Sequence, residues 1–110
     1  VMIRAELIRR GTKLRLELEG HAYAAESGRD PVCAAASALT WAVIGYTGRL
    51  YECGGLERAP QITAVKGQAF ICMEAKPEYA GELDGASGLV RAGFELLAEN
   101  FPENIQFYYS

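Results

Sequence analysis

Apolar and charged residues alternate along the first part of the chain. Residues 13–19 (KLRLELE) set Leu14, Leu16 and Leu18 against charged neighbours, the period of two expected of a strand with one buried face. Residues 2–10 (MIRAELIRR) precede it across Gly11-Thr12, so the pair reads as an antiparallel hairpin. The pattern then changes. From Pro31 an alanine-rich run carries Leu39, Trp41, Val43 and Ile44 around much of a helical circumference. A helix is expected from about Pro31 to Ile44, with Gly45 and Gly48 as stops, buried on most sides or packed at a subunit interface. Residues 45–60 (GYTGRLYECGGLERAP) read as a turn-rich connection.

Two further β-like runs follow, 61–66 (QITAVK) and 68–75 (QAFICMEA), joined at Gly67 as a second hairpin. After an irregular stretch from Pro77 to Gly88, residues 89–101 (LVRAGFELLAENF) place Leu89, Val90, Ala92, Gly93, Leu96 and Leu97 at helical spacing. Pro102 ends that helix. The tail NIQFYYS alternates Ile105, Phe107 and Tyr109 on one face, a last strand. The order ββαββαβ predicts an α+β two-layer sandwich, a mostly antiparallel sheet with both helices on one face. No internal repeat or low-complexity tract interrupts it.

Composition narrows the class. At 110 residues, half of them apolar and 23% charged, the chain is expected to form one globular domain with one modest core. A net charge of −3 argues against a general nucleic-acid-binding surface. It would suit a basic substrate tail but is too small to decide the matter. The most apolar segment, 31–46, contains Ser37 and Thr40 and is too short to span a bilayer. No signal peptide is apparent. Cys33, Cys53 and Cys72 lack a C-x-x-C spacing and are joined by a single histidine, so no metal site is expected. Free thiols point to a reducing cytoplasm. GELDGASG lacks the Gly-Lys-Ser/Thr ending of a P-loop, and no cofactor is expected.

The candidate chemistry lies in residues 19–37 (EGHAYAAESGRDPVCAAAS), which hold Cys33 and the sole histidine, His21. Asp30-Pro31 fits a helix opening, with Asp as N-cap and Pro at the first helical position. That puts Cys33 in the first turn, where backbone N–H groups and the positive end of the helix dipole favour a thiolate. Those same N–H groups are candidate oxyanion donors. An imidazole within reach would take the thiol proton, and Ser27-Gly28 lets the intervening segment fold back. The plain alternative is a buried helical cysteine. Asp30 has two available roles, capping the helix or orienting His21. Ser37, one turn beyond Cys33, is a hydrogen-bond donor or a small packing residue. Cys53 is a rival nucleophile without a helix start or a neighbouring histidine. Gly54-Gly55 is a plain connection or a cradle for substrate backbone. Cys72 is expected to pack in the core or sheet.

Gly20-His21-Ala22, then Asp30 with Val32-Cys33-Ala34-Ala35 and Ser37-Ala38-Leu39, resembles the ribosomal-processing cysteine protease family, Prp. The resemblance extends loosely over the whole chain, to the ENIQFYYS tail. It departs at Pro31, where the family pattern leads one to expect a branched aliphatic residue. The resemblance implies a single cysteine protease domain over 1–110 with His21 as base and Cys33 as nucleophile, supported by Gly20, Asp30 and Ser37. It implies a cytoplasmic homodimer that removes the N-terminal extension of a large-subunit ribosomal protein during ribosome assembly, with no direct contact to nucleic acid or membrane. Two other classes stay open from the residues themselves: a non-catalytic ribosome-assembly binding module, and a redox-sensing thiol protein.

Overall fold

A computed structural model describes residues 2–20 and 30–110 of the chain. The elements are β1 (Ile3–Arg10), β2 (Lys13–Glu19), α1 (Pro31–Glu52), β3 (Gln61–Val65), β4 (Gln68–Glu74), α2 (Ala80–Asn100) and β5 (Ile105–Tyr109), with a 3₁₀ turn at Pro77–Tyr79 before α2. The order ββαββαβ is as expected.

The five strands form one sheet, β3-β4-β2-β1-β5. Three of its four pairings are antiparallel, and β1 pairs with β5 in parallel. The sheet is therefore mixed. The parallel pair follows from the connection: α2 carries the chain from the end of β4 back across β2 and β1, and a parallel neighbour requires such a crossover. The β2–α1–β3 connection does the same across β4.

Strand alternation sorts side chains to two faces. The face towards the helices carries Ile3, Ala5, Leu7, Leu14, Leu16, Ile71, Met73 and Ile105, all buried against Val32, Ala36, Val43 and Leu50 of α1 and Leu83, Val90 and Phe94 of α2. Phe107 stacks on Phe94 with ring centroids 5.3 Å apart. The other face is charged and has no layer over it among the described residues: Arg4 and Glu6 of β1, Arg15, Glu17 and Glu19 of β2, and Phe70, Cys72 and Glu74 of β4. Cys72 is half-buried on this open face and does not enter the core.

The helices differ from expectation in length. α1 passes through Gly45 and Gly48 and runs to Glu52. A buried stripe, Val32, Ala36, Thr40, Val43, Thr47 and Leu50, continues past the predicted stop. Burial of Thr47 and Leu50 outweighs the roughly 1 kcal/mol that each interior glycine costs. The true stop is Gly54, at φ +79°. The Gly55 N–H donates to the Leu50 carbonyl (2.7 Å) and the Gly54 N–H to that of Tyr51 (3.2 Å), the paired bonds of a Schellman end. Gly54 and Gly55 thus close a helix.

α2 begins at Ala80, earlier than expected, and contains Gly81, Gly85 and Gly88. Leu83, Ser87, Val90 and Phe94 form its buried stripe. Its first turns are tied to the sheet by Arg9, whose guanidinium pairs with Asp84 and donates to Ser87 Oγ (3.2 Å). That buried stripe takes the inward side and leaves part of the expected apolar face outside. Leu89 and Leu96 are 76% and 59% exposed, and Trp41 of α1 is 63% exposed. Within this chain, then, α1 is buried along one stripe only.

Candidate active site

Local sequence chemistry fixes the start of α1. Asp30 is the N-cap, in extended conformation, and Pro31 occupies the first helical position. One carboxylate oxygen of Asp30, Oδ1, accepts from the Val32 N–H (2.9 Å) and the Cys33 N–H (3.1 Å). The Asp30 carbonyl accepts from the Ala34 N–H (3.0 Å). Pro31 has no N–H to offer. Of the two roles open to Asp30 in sequence, the described contacts are those of a helix cap, made by a residue only 7% exposed.

Cys33 therefore stands in the first turn of α1, half-buried and packed against the edge of the core. Its position agrees with the sequence expectation. Its amide does not: the N–H groups of Val32 and Cys33, expected to face an oxyanion, are held by Asp30. Ser37, one turn on, is exposed within this chain.

His21 lies outside the described residues. Its covalent neighbour Gly20 does not. Gly20 sits at the end of β2 with φ +93°, a region glycine enters freely and other residues rarely do. Its N–H donates to the Gly67 carbonyl at 2.9 Å. A Cβ on Gly20 would run into the Met2 carbonyl oxygen. The exit of the chain from β2 towards His21 is thus pinned between the β3–β4 turn and the start of β1.

The far end of α1 locates the near end. The Lys76 N–H donates to the Gly55 carbonyl at 2.8 Å, and Leu56 bridges to Ala75. The C-terminus of α1 therefore meets the C-terminal end of β4. At about 1.5 Å per residue α1 is about 33 Å long, and β4 at about 3.3 Å per residue is about 23 Å. As the crossover between the parallel strands β2 and β3, α1 runs back along the sheet, which puts its start, with Cys33, towards the end of β4 where Gly20 meets Gly67. Sequence reasoning did not find this convergence, because the hydrogen bonds that create it join residues far apart in the chain.

Cys53 lies at the other end of α1, about 30 Å away along the helix axis. Its Sγ is 3.4 Å from the Leu50 carbonyl oxygen and 3.6 Å from the Tyr79 hydroxyl. The hydrogen bond with Cys53, and then the charge interaction with it, push the Tyr79 hydroxyl above the ordinary tyrosine range. The Tyr46 hydroxyl is also raised, chiefly by burial and then by Glu82; among the described residues it has no hydrogen-bond partner. This cluster is remote from Gly20 and from Cys33. None of the three cysteines is in a disulfide. Among the described residues no group of three His, Cys, Asp or Glu side chains is arranged to hold a metal ion, and no helix is long and apolar enough to cross a membrane.

The family model for the cysteine protease Prp matches residues 2–106. The chain belongs to the Prp cysteine protease family. Solved structures agree with that placement. Prp of S. aureus, an essential ribosomal processing protease solved with a covalently linked product peptide, matches with a TM-score of 0.69 at 22% identity, covering 99% of this chain and 100% of that one. The same enzyme with a substrate peptide matches at 0.64 and 22% identity, with the same coverage. SMU.848 of Streptococcus mutans matches at 0.66 and 28% identity, covering 98% of this chain and 93% of its own. No curated protein sequence matches. Membership of the Prp family makes the chain a cysteine protease, and the fold it shares with these proteins spans nearly its whole length.

Proposed function

We propose that this chain is a thiol endopeptidase that removes the N-terminal extension of a large-subunit ribosomal protein, with Cys33 as nucleophile and His21 as base. One observation supports the reading: Cys33 stands in the Asp30-capped first turn of α1, and α1 is the crossover between β2, whose end leads through Gly20 into His21, and the parallel β3.

In this mechanism the Cys33 sulfur attacks the scissile carbonyl carbon while His21 takes the thiol proton. The tetrahedral intermediate collapses to a thioester. The C–N bond breaks and His21 passes its proton to the departing amine. Water, deprotonated by His21, then attacks the thioester carbonyl, and the carboxylic acid product leaves as the thiol reforms. Because Asp30 holds the Val32 and Cys33 amides, the oxyanion must draw on donors other than these amides or displace the cap. Ser37, exposed one turn beyond Cys33, is a candidate for the first.

The enzyme acts in the cytoplasm as a homodimer in this reading. Support for the dimer comes from the exposed Trp41, Leu89 and Leu96, large apolar side chains of the kind that pairing covers. Sedimentation equilibrium of the native protein and a Trp41→Glu variant tests it; a monomeric native protein at micromolar concentration refutes it.

The occupied amides favour a second reading, a binding module in which Cys33 only packs. Intact-mass analysis of the ribosomal precursor, before and after incubation with the protein, separates the two. Shortening by native protein and none by Cys33→Ala or His21→Ala supports the protease. Full processing by Cys33→Ala refutes the nucleophile; full processing by His21→Ala refutes only the base.

A further inference from the structure

Three main-chain donors stand in the first turn of α1, and all three are engaged. Pro31 has no N–H. The Ala34 N–H donates to the Asp30 carbonyl at 3.0 Å. The Val32 and Cys33 N–H groups donate to a single atom, Asp30 Oδ1, at 2.9 and 3.1 Å. Acyl transfer asks something else of such amides. The oxygen of the tetrahedral intermediate needs donors beside the nucleophile, and the nucleophile's own N–H is a usual member of that set. Here that N–H belongs to Cys33, and a carboxylate oxygen already sits on it. Asp30 Oδ1 carries the kind of charge an oxyanion would carry and takes the hydrogen bonds it would take.

We propose that the Asp30 carboxylate is an internal stand-in for the oxyanion: a latch that occupies the Val32 and Cys33 amides in the resting protein and gives them up when the reacting carbonyl engages Cys33. This rests on the protease reading above.

The local geometry lets the latch open without unwinding the helix. Both amides share one acceptor, so rotation of one side chain frees both. The Asp30 carbonyl keeps its bond from Ala34 when the carboxylate leaves. The Asp30 backbone is extended, at φ −80° and ψ 109°, and Pro31 holds a helical φ at the first position by its ring alone. Burial keeps the latch shut at rest: Asp30 is only 7% exposed, so water competes weakly for its oxygen. Magnitudes favour the exchange. Loss of a cap changes an equilibrium by about fivefold, whereas one oxyanion donor is worth about 10²–10³ in rate.

Two measurements test it. The first is single-turnover cleavage of the ribosomal precursor by Asp30→Gly, since glycine is the least costly replacement at a cap. At saturating substrate its rate should exceed that of native protein by about fivefold with KM unchanged. Asp30→Asn keeps a side-chain acceptor for the two amides and should return the rate towards the native value. A purely structural cap predicts the reverse, a rate that falls with the folded fraction. Equal or slower cleavage by folded Asp30→Gly overturns the latch. The second measurement needs no variant. A peptide aldehyde ending at the cleavage junction adds to Cys33: the S–C bond forms and the thiol proton passes to the aldehyde oxygen, giving a hemithioacetal. In a crystal structure of that adduct the oxygen should accept from Val32 and Cys33, with Asp30 Oδ1 more than about 3.5 Å from both amides. An adduct in which Asp30 still holds both amides overturns the latch and leaves the protease reading standing. If native protein neither reacts with the aldehyde nor cleaves the precursor, the protease reading fails first and the latch with it.

Discussion

The Asp30 carboxylate accepts the Cys33 amide at 3.1 Å and the Val32 amide at 2.9 Å through the same oxygen. The nucleophile candidate and the cap of its helix are therefore one unit. Replacing Asp30 by Ala should lower stability by about 1 kcal/mol, read as a fall of several degrees in Tm. Asp30→Ser should restore most of it. Under the protease reading Asp30→Ala also tests whether the cap restrains catalysis: if it does, precursor cleavage rises as Tm falls.

Gly20→Ala should be costlier than an exposed turn glycine warrants. The positive φ and the collision with the Met2 carbonyl act together, and strain of this kind is worth on the order of 1–3 kcal/mol. Urea unfolding measures it. Gly11→Ala is the control, since Gly11 also has positive φ but open space around it; Gly20→Ala should be the more damaging of the two.

Phe94 is fully buried and stacked on Phe107 with an interplanar angle of 10°. Phe94→Ala should cost about 3–5 kcal/mol. Phe94→Leu keeps much of the volume and should recover part of the loss. A Phe94→Ala variant with unchanged denaturation midpoint would contradict the assigned core.

Cys53 holds the Tyr79 hydroxyl above its ordinary range. Cys53→Ala should lower the pH at which Tyr79 ionises, seen as the difference in tyrosinate absorbance between Tyr79→Phe and its parent, each with and without Cys53. The same variant should leave precursor processing intact, because Cys53 sits at the wrong end of α1.

Arg58 pairs with Glu74. The hydrogen bond from Arg58 holds the Glu74 carboxyl below the ordinary glutamate range. A carboxyl depressed on folding contributes stability that is present above the unfolded value and lost as pH falls through the folded one. The Tm difference between native protein and Glu74→Gln should thus be constant above about pH 5 and shrink towards acid. Arg58 is well exposed and Glu74 partly so, so the difference should be small; a difference that grows towards acid would show the sign to be wrong.

The site was legible in part. Asp30-Pro31 announces a helix start because cap preference is local chemistry, and it placed Cys33 in the first turn correctly. Occupation of the neighbouring amides by Asp30 was not foreseen, since the same residue types permit either a cap or a free helix end. His21 falls outside the described residues. Gly20 stands out in the sequence only for its place beside His21; its need to be glycine depends on the Met2 carbonyl, which β1 brings close only after the hairpin forms.

Sequence by itself determined the order of elements, the inward faces of β2 and β5 and the position of the thiol in its helix. Each depends on a period of two, or on a cap within a few residues, and the chain carries that information in its neighbours. Tertiary structure decided how far the helices run, which leucines they bury and how the strands line up. α1 persists through Gly45 and Gly48 because the sheet buries Thr47 and Leu50 beneath it, and Leu89 is left exposed because Leu83, Val90 and Phe94 take the inward stripe. β5 pairs in parallel with β1 because α2 returns the chain across the sheet. These outcomes turn on what packs against a segment, which no local pattern contains.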